Sequence, residues 1–324
     1  MTTLASLVGG AAASITQNAR FIALHTVLGA DALLAERAQI DEVIAPWSAA
    51  DAEGPIAGYR IEVFAFSENA HIDPNALMGQ PALLEMLTSR PGVPRAFHGH
   101  VTQVERLGSD GGLSRYRLRI EPWLATLAHR QDSWVFQGQS VPQIIDELFA
   151  DYAGQGTLAP TWRWDLADAS AYPARSLCVQ YRETDLAFVE RLLREEGLFY
   201  WFEHQGQAGQ GAAMGAHTLV IADHNGAFTP NTQSRVRFTQ AAAMLPEDSL
   251  QGWHTEAQLL TDAVQLASRD YRSLGQRPVS QGSQSDGAAR VAELRWADVP
   301  GAYAYEDTAQ GDRLALRHLQ ALDA

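Results

Sequence analysis

The chain contains no lysine: all 24 of its Lys and Arg positions are arginine. That removes Schiff-base lysines and the lysine of a phosphate-binding loop together. It has one cysteine, Cys178, so neither an internal disulfide nor a thiolate metal cluster can form, which suits a reducing cytoplasm. Cys178 lies inside the strand-like run LCVQYRE with no activating histidine beside it, and a buried, inert thiol is expected. No run approaches the roughly 18 apolar residues that a membrane helix requires. The opening MTTLASLVGGAAASITQNAR has no basic residue before Arg20, so it lacks the charged start of a secretory signal and reads as a tail. The formal charge is −14, from 38 acidic against 24 basic residues, with no basic patch to override it; a nucleic-acid partner is not expected. Also missing are a GxSxG elbow, a GxGxxG fingerprint, a GxxxxGK(S/T) loop and an HExxH pair.

What is present is a chain of 324 residues with 46% hydrophobic content, enough for two or three compact units with their own cores. Strand-type alternation marks FIALHTVLG (21–29), GYRIEVFAFSE (58–68), RAFHGHVTQVERLG (95–108) and LSRYRLRIEPW (113–123). In the last, Tyr116, Leu118 and Ile120 share one face and Arg115, Arg117 and Arg119 the other. The intervening GSDGG predicts an antiparallel hairpin, and strands at this spacing suggest a small barrel or sandwich. The period then changes: QSVPQIIDELFADYAG (139–154) sets Ile144, Ile145, Leu148, Phe149 and Tyr152 on one helical stripe, with Ser140 and Gln143 as a capping box. LAPTWRWDLADASAYPARS (158–176) reads as an irregular bridge. Further strands are expected at LCVQYRE, HTLVIADH (217–224) and SRVRFTQ (234–240), a second β unit. The Gly-, Gln- and Ser-rich stretches 204–217 and 279–290 read as mobile loops.

The chemistry-bearing residues concentrate in RETDLAFVERLLREEGLFYWFEH (182–204). A helix is expected over 184–196, with Thr184 as N-cap and Gly197 as stop. Leu186, Phe188, Val189, Leu192 and Leu193 fall on one arc, and Glu190, Arg191, Arg194 and Glu195 on the other. Glu195 and Glu196 are splayed by about 100°, so they should not converge on one substrate. Glu196 falls within the apolar arc at the negative end of the helix, where a carboxylate requires a partner such as a buried arginine or else has a functional role. LFYWFEH alternates Leu198, Tyr200 and Phe202 against Phe199 and Trp201, so both faces should be covered, as in an inner strand or a subunit contact. Glu203 and His204 point to opposite faces and form no dyad. His98 and His100 share a strand face at a usable ligand spacing, but no third ligand accompanies them. His217, Asp223, His224 and Asn225 read as turn and edge residues. No catalytic, cofactor-binding or metal-ligating residue is assigned.

The stretch RSLCVQYRETDLAFVERLLREEGLFYWFEH (175–204) resembles the signature of the VgrG family, the tail-spike proteins of the bacterial type VI secretion system. Residues 95–152, with the Phe97-His98-Gly99 element, hairpin and following helix, are similar to another family stretch; so are DYRSLGQRP (270–278) and AYAYEDTAQGDRLALRHLQALDA (302–324), in the family's order. The resemblance runs from about residue 20 to the end. Position 100 departs from it, with histidine where an aliphatic residue is typical. The resemblance implies a mixed, β-rich α+β fold like a phage tail hub, with two small β-barrels. It divides the chain into a tail (1–17), a first barrel (18–130), a helical and irregular bridge (131–175), a second barrel with its helix (176–285) and a connector (286–324) toward an OB-type barrel and β-helix spike expected to be absent here. It further implies a homotrimeric adaptor between a threefold spike and the sixfold Hcp tube, meeting baseplate proteins and effector or adaptor cargo. Such a hub is non-enzymatic, assembles in the cytoplasm and is then secreted by the apparatus. A contractile phage or tailocin baseplate hub is the alternative, and a hydrolase using Glu196 or Glu203 a more distant one.

Overall fold

Six antiparallel strands build the first half of the molecule: β1 (Ile22–Thr26), β2 (Leu34–Glu42), β3 (Tyr59–Ser67), β4 (Pro81–Met86), β5 (Arg95–Asp110) and β6 (Leu113–Glu121). They pair in the order β1-β4-β5-β6-β3-β2. The computed structural model describes residues 20–29, 31–46, 56–88, 93–110, 112–208, 213–230, 233–239, 249–250, 252–255, 259, 261–270, 275–282, 294–300, 304–305 and 307–323; the tail at 1–17 lies outside them. β1 and β2 are the two edges of the sheet yet touch each other, so the sheet curls toward a barrel.

β6 shows why the sheet forms. Tyr116, Leu118 and Ile120 are buried, while Arg115, Arg117 and Arg119 pair with Glu36, Glu105 and Glu62 on the outer face. The inward face carries the stabilisation, at about 25 cal/mol per Å² of apolar area buried. The outer pairs add about 1 kcal/mol or less each. The expected hairpin joins β5 to β6 with Asp110 opposite Leu113. Three strands carry no clean alternation: β2 is interrupted by a bulge between Ala35 and Arg37, β4 has Pro81 to Leu84 buried on both faces, and β5 has Phe97 to Val101 buried in succession.

The second half begins with β7 (Gln131–Phe136), helix α1 (Val141–Asp151), β8 (Trp162–Asp165), β9 (Cys178–Thr184), helix α2 (Asp185–Glu196), β10 (Phe199–Gly206) and β11 (Gly215–Ala222). β7 and β9 form an antiparallel ribbon. β10 pairs antiparallel with β11, whose other edge takes β8 in parallel. Residues 162–165, expected within an irregular bridge, are therefore a strand: their backbone satisfies the free edge of β11, and the Trp162 and Trp164 indoles both donate to Asp146 Oδ1 of α1, at 2.6 and 2.9 Å. The stretch 204–217 is likewise strand at both ends, because His204 to Gly206 pair with Gly215 to His217. Its polar composition reports exposure rather than lack of backbone pairing.

The remaining strands are short. β12 (Arg237–Phe238) pairs with β13 (Ser249–Leu250), and β14 (Ala263–Asp270) lies between β15 (Gly275–Gly282) and β16 (Arg295–Asp298). Residues 279–282, expected as loop, thus belong to β15; 283–290 lie outside the described residues. Helix α3 (Thr308–Asp323) packs on this last sheet around Val264, Leu266, Val279, Tyr305, Ala315 and Leu319. The main core is continuous from Leu24 to Ile221 and takes in the first sheet, α1, α2, β10 and β11. The fold is β-rich α+β, and among the described residues no helix is long and apolar enough to cross a membrane.

Candidate functional site

Helix α2 has the ends its sequence demands. Thr184 Oγ1 accepts the Ala187 N–H at 3.2 Å, and Gly197, at φ 70, lets Leu198 N–H turn back to Leu193 O at 2.8 Å. Glu195 and Glu196, splayed on the helix, meet on one cation. Arg175 Nη1 donates to Glu195 and Nη2 to Glu196, both at 2.6 Å. An angle measured at the helix axis omits side-chain reach, and a forked guanidinium spans two neighbouring carboxylates. Glu196 takes a second hydrogen bond from Arg317 of α3, and Glu195 takes one from Arg191 at 3.0 Å. Burial works against ionisation of Glu195, but Arg175 and Arg191 outweigh it and hold its carboxyl below the usual range. These carboxylates are saturated with donors. The cleft beside them, about 410 Å³, has these paired ions in its wall, so Glu195 and Glu196 present no free carboxylate to it.

Two other carboxylates of α2 are buried. Glu190, on the solvated arc by periodicity, is buried and accepts from Tyr200 Oη at 3.1 Å, because β10 covers that side of the helix. Burial raises its carboxyl, and the Tyr200 and Arg194 contacts only partly oppose this. Asp185, visible in sequence only as a first-turn acid, is fully buried. It accepts from Tyr152 Oη at 2.6 Å and Gln180 Nε2 at 2.7 Å and pairs with Arg130 Nε at 2.7 Å. One carboxylate thereby ties α1, α2, the ribbon and residue 130 together.

Glu203 is exposed and pairs with Arg163 at 2.7 Å, whereas His204 turns inward, so the two form no dyad. Asp223 accepts from Ala167 N–H at 2.9 Å and from Tyr172 Oη at 2.8 Å; His224 faces Asp165 at 3.5 Å, and Asn225 opens a short turn. These are turn and edge contacts. Cys178 is buried, and burial raises its thiol above the usual range.

His217 leaves that neighbourhood and joins His98, His100 and His204 in a cluster whose ring centroids lie 5.1 to 6.5 Å apart in the contacting pairs. His98 and His100 come from β5, His204 from β10 and His217 from β11, so the cluster sits where the first sheet meets the second. Gly99 makes this possible: a Cβ there would lie 2.7 Å from Ile120 Cγ2 and 2.8 Å from Glu121 O. The hydrogen bonds fix the protons. His98 Nε2 meets Ala213 O at 2.8 Å and must carry hydrogen; His217 Nε2 accepts the Trp123 N–H at 2.9 Å and must be bare. The 2.8 Å contact between the two Nδ1 atoms then holds one proton, on His217. That leaves His217 without a lone pair for a metal, and among the described residues no group of three or more His, Cys, Asp or Glu is arranged to hold one. The spacing of His98 and His100 is visible in sequence; the partners at 204 and 217 are not.

β10 also carries an outer aromatic face. Phe199 and Trp201 stack on each other and on Phe228, at 4.7 to 6.0 Å between centroids, and all three keep solvent exposure, while Tyr200 and Phe202 face the core. The outward face is covered by its own aromatics only in part.

Comparison with known proteins bears on the fold as a whole and on the family. A tail protein from Neisseria meningitidis MC58 shares the fold, with a TM-score of 0.51 at 11% identity over 91% of this chain and 74% of that one. In sequence the chain is similar to type VI secretion system spike proteins of Pseudomonas aeruginosa. It is 29% identical to VgrG1b over 315 residues, 96% of this chain and 38% of that protein. It is 33% identical to VgrG5 over 265 residues, 81% of this chain and 31% of that protein. The chain thus spans about a third of the length of these relatives. The model of the phage tail baseplate hub (GPD) family matches residues 57–324. That match covers the curled sheet from β3 onward, the histidine joint and the arginine node, and the chain belongs to the phage tail baseplate hub family.

Proposed function

We propose that the chain is the hub at the base of a type VI secretion spike. The observation that carries this is the family match over residues 57–324 together with extended similarity to VgrG spike proteins. In this reading the β units at 18–130 and 176–285, joined through 131–175, are the two hub barrels, and 286–324 leads toward a spike. Three copies form a ring that adapts a threefold spike to the sixfold Hcp tube, in contact with baseplate proteins and cargo. The partly exposed Phe199, Trp201 and Phe228 face is consistent with a subunit contact. The role is mechanical. The carboxylates that a hydrolase would need are occupied, Glu196 by Arg175 and Arg317 and Glu203 by Arg163. Assembly takes place in the cytoplasm, and the hub leaves the cell with the tube.

The test is genetic. Deleting the gene should abolish secretion of tube subunits, and restoring the protein should recover it; normal secretion from the deletion strain overturns the proposal. The family's phage members supply a second reading, a contractile phage or tailocin hub. Neighbouring genes for sheath, tube and a recycling ATPase separate the two.

A further inference from the structure

Three of the four histidines at the joint, His98, His204 and His217, are linked by hydrogen bonds that hold only while the rings are neutral, and His100 is buried against them. Trp123 N–H donates to His217 Nε2, His217 Nδ1–H to His98 Nδ1, and His98 Nε2–H to Ala213 O. The His98 backbone N–H donates to His204 Nδ1 at 3.1 Å, which places the His204 proton on Nε2, a buried atom with no partner. His100 is hydrogen-bonded to the Thr157 backbone, and its Nδ1 is buried without a partner.

Each added proton breaks something. On His98 Nδ1 it would face the His217 N–H across 2.8 Å; on His217 Nε2 or His204 Nδ1 it would oppose a backbone N–H. On His100 Nδ1 it would lie buried with no acceptor. Two of the hydrogen bonds broken in this way join β5 to β10 and to β11, His98 N–H to His204 and His217 to His98, and the third ties β11 to the Trp123 backbone. The surroundings offer no relief. Among the described residues no carboxylate bonds any of the four rings. Facing groups are the Tyr59 phenol, which donates to His98 O at 2.5 Å, and the Arg95 guanidinium, whose charge opposes protonation of His204. The carboxylates acting on Tyr59 are already engaged, Glu121 by Arg60 and Thr102 and Glu42 by Arg95.

We propose that this joint is a proton-operated latch: the neutral imidazoles of His98, His204 and His217, with His100 buried beside them, hold the first sheet to the second, and protonation parts them. Burial and the neighbouring rings push His100 and His204 down to about 4, and His98 and His217 are also lowered. A depressed folded value gives stability that is fully present above the ordinary imidazole range of about 6.5 and is lost as pH falls from there toward about 4. Because one protonation admits water to the other rings, more than one proton should enter together.

The test compares denaturant unfolding of the full chain from about pH 7.5 to about pH 4.5 with that of the double variant His100→Gln, His204→Asn. In the parent the unfolding constant should rise about tenfold per pH unit for each proton taken up, hence about a hundredfold for two. The double variant should lose that two-proton slope, and replacing the exposed His71 by Gln should leave it unchanged. An independent readout on the unmodified chain covers the case in which the variant fails to fold. Amide exchange at Trp123 and His98, corrected for intrinsic rates, should lose at least tenfold protection at about pH 5 relative to about pH 7.5. Equal slopes in parent and folded double variant, or unchanged protection with imidazoles titrating near 6.5 in the folded chain, overturn the latch.

Discussion

Arg175 donates to Glu195 through Nη1 and to Glu196 through Nη2, each at 2.6 Å, so one guanidinium binds two consecutive carboxylates of the same helix. With Arg191 on Glu195 and Arg317 on Glu196, the node fastens the segment before β9, helix α2 and helix α3 to one another. A sequence feature suggestive of paired catalytic acids is a cross-link.

Arg175→Ala leaves two adjacent, partly buried carboxylates short of a partner and should cost about 3 kcal/mol in denaturant unfolding. The substitution should also raise the Glu195 carboxyl. In the parent its contribution is present above the ordinary carboxylate range and is lost as pH falls through its lowered folded value. The variant's acid limb should therefore lie at higher pH.

Asp185→Ala takes the acceptor from the Tyr152 hydroxyl and one of two partners from Arg130, which keeps Asp151, and from Gln180, which keeps the Glu183 carbonyl; it should cost about 2–3 kcal/mol. Tyr152→Phe removes one of these bonds and should cost about 1 kcal/mol. Chemical denaturation of both variants gives the ratio. Equal costs would remove Asp185 from the centre of the network.

Gly99→Ala sets a methyl against Ile120 and the Glu121 carbonyl, so β5 must shift away from β6. The expected loss is about 1–3 kcal/mol of stability, with the histidine joint loosened beside it. Thermal unfolding and exchange at the His98 amide read the two effects separately.

Trp201→Ser and Phe228→Ser together thin the outer aromatic face of β10. Each aromatic pair removed should cost about 0.5–1.5 kcal/mol of stability. If this face is a subunit contact of the proposed trimer, light scattering should show a lower molar mass for the variant at the concentration where the parent associates.

How far the sequence reaches is clearest along α2. Its caps, its apolar arc and the arginine need of Glu196 follow from local rules, because a helix fixes neighbours within one turn. Periodicity misplaces Glu190, since whether a flank faces water depends on what packs there, and β10 does. Strand β8 escapes the sequence for a related reason: four residues carry no periodic signal, and only the free edge of β11 makes them a strand.

By itself the sequence determined the longer strands and helices, the β5–β6 hairpin and the family likeness carried by residues 175–204, but not the run 234–240, expected as a strand, of which only Arg237–Phe238 pairs among the described residues. These depend on composition and on contacts within a few residues. Only the tertiary structure decided what the ionisable groups do. His98 meets His217 across 119 positions and Arg317 meets Glu196 across 121, and no local period encodes such encounters. Burial then fixes the outcome: a charge shielded from water must find a partner, and an imidazole shielded from water stays neutral.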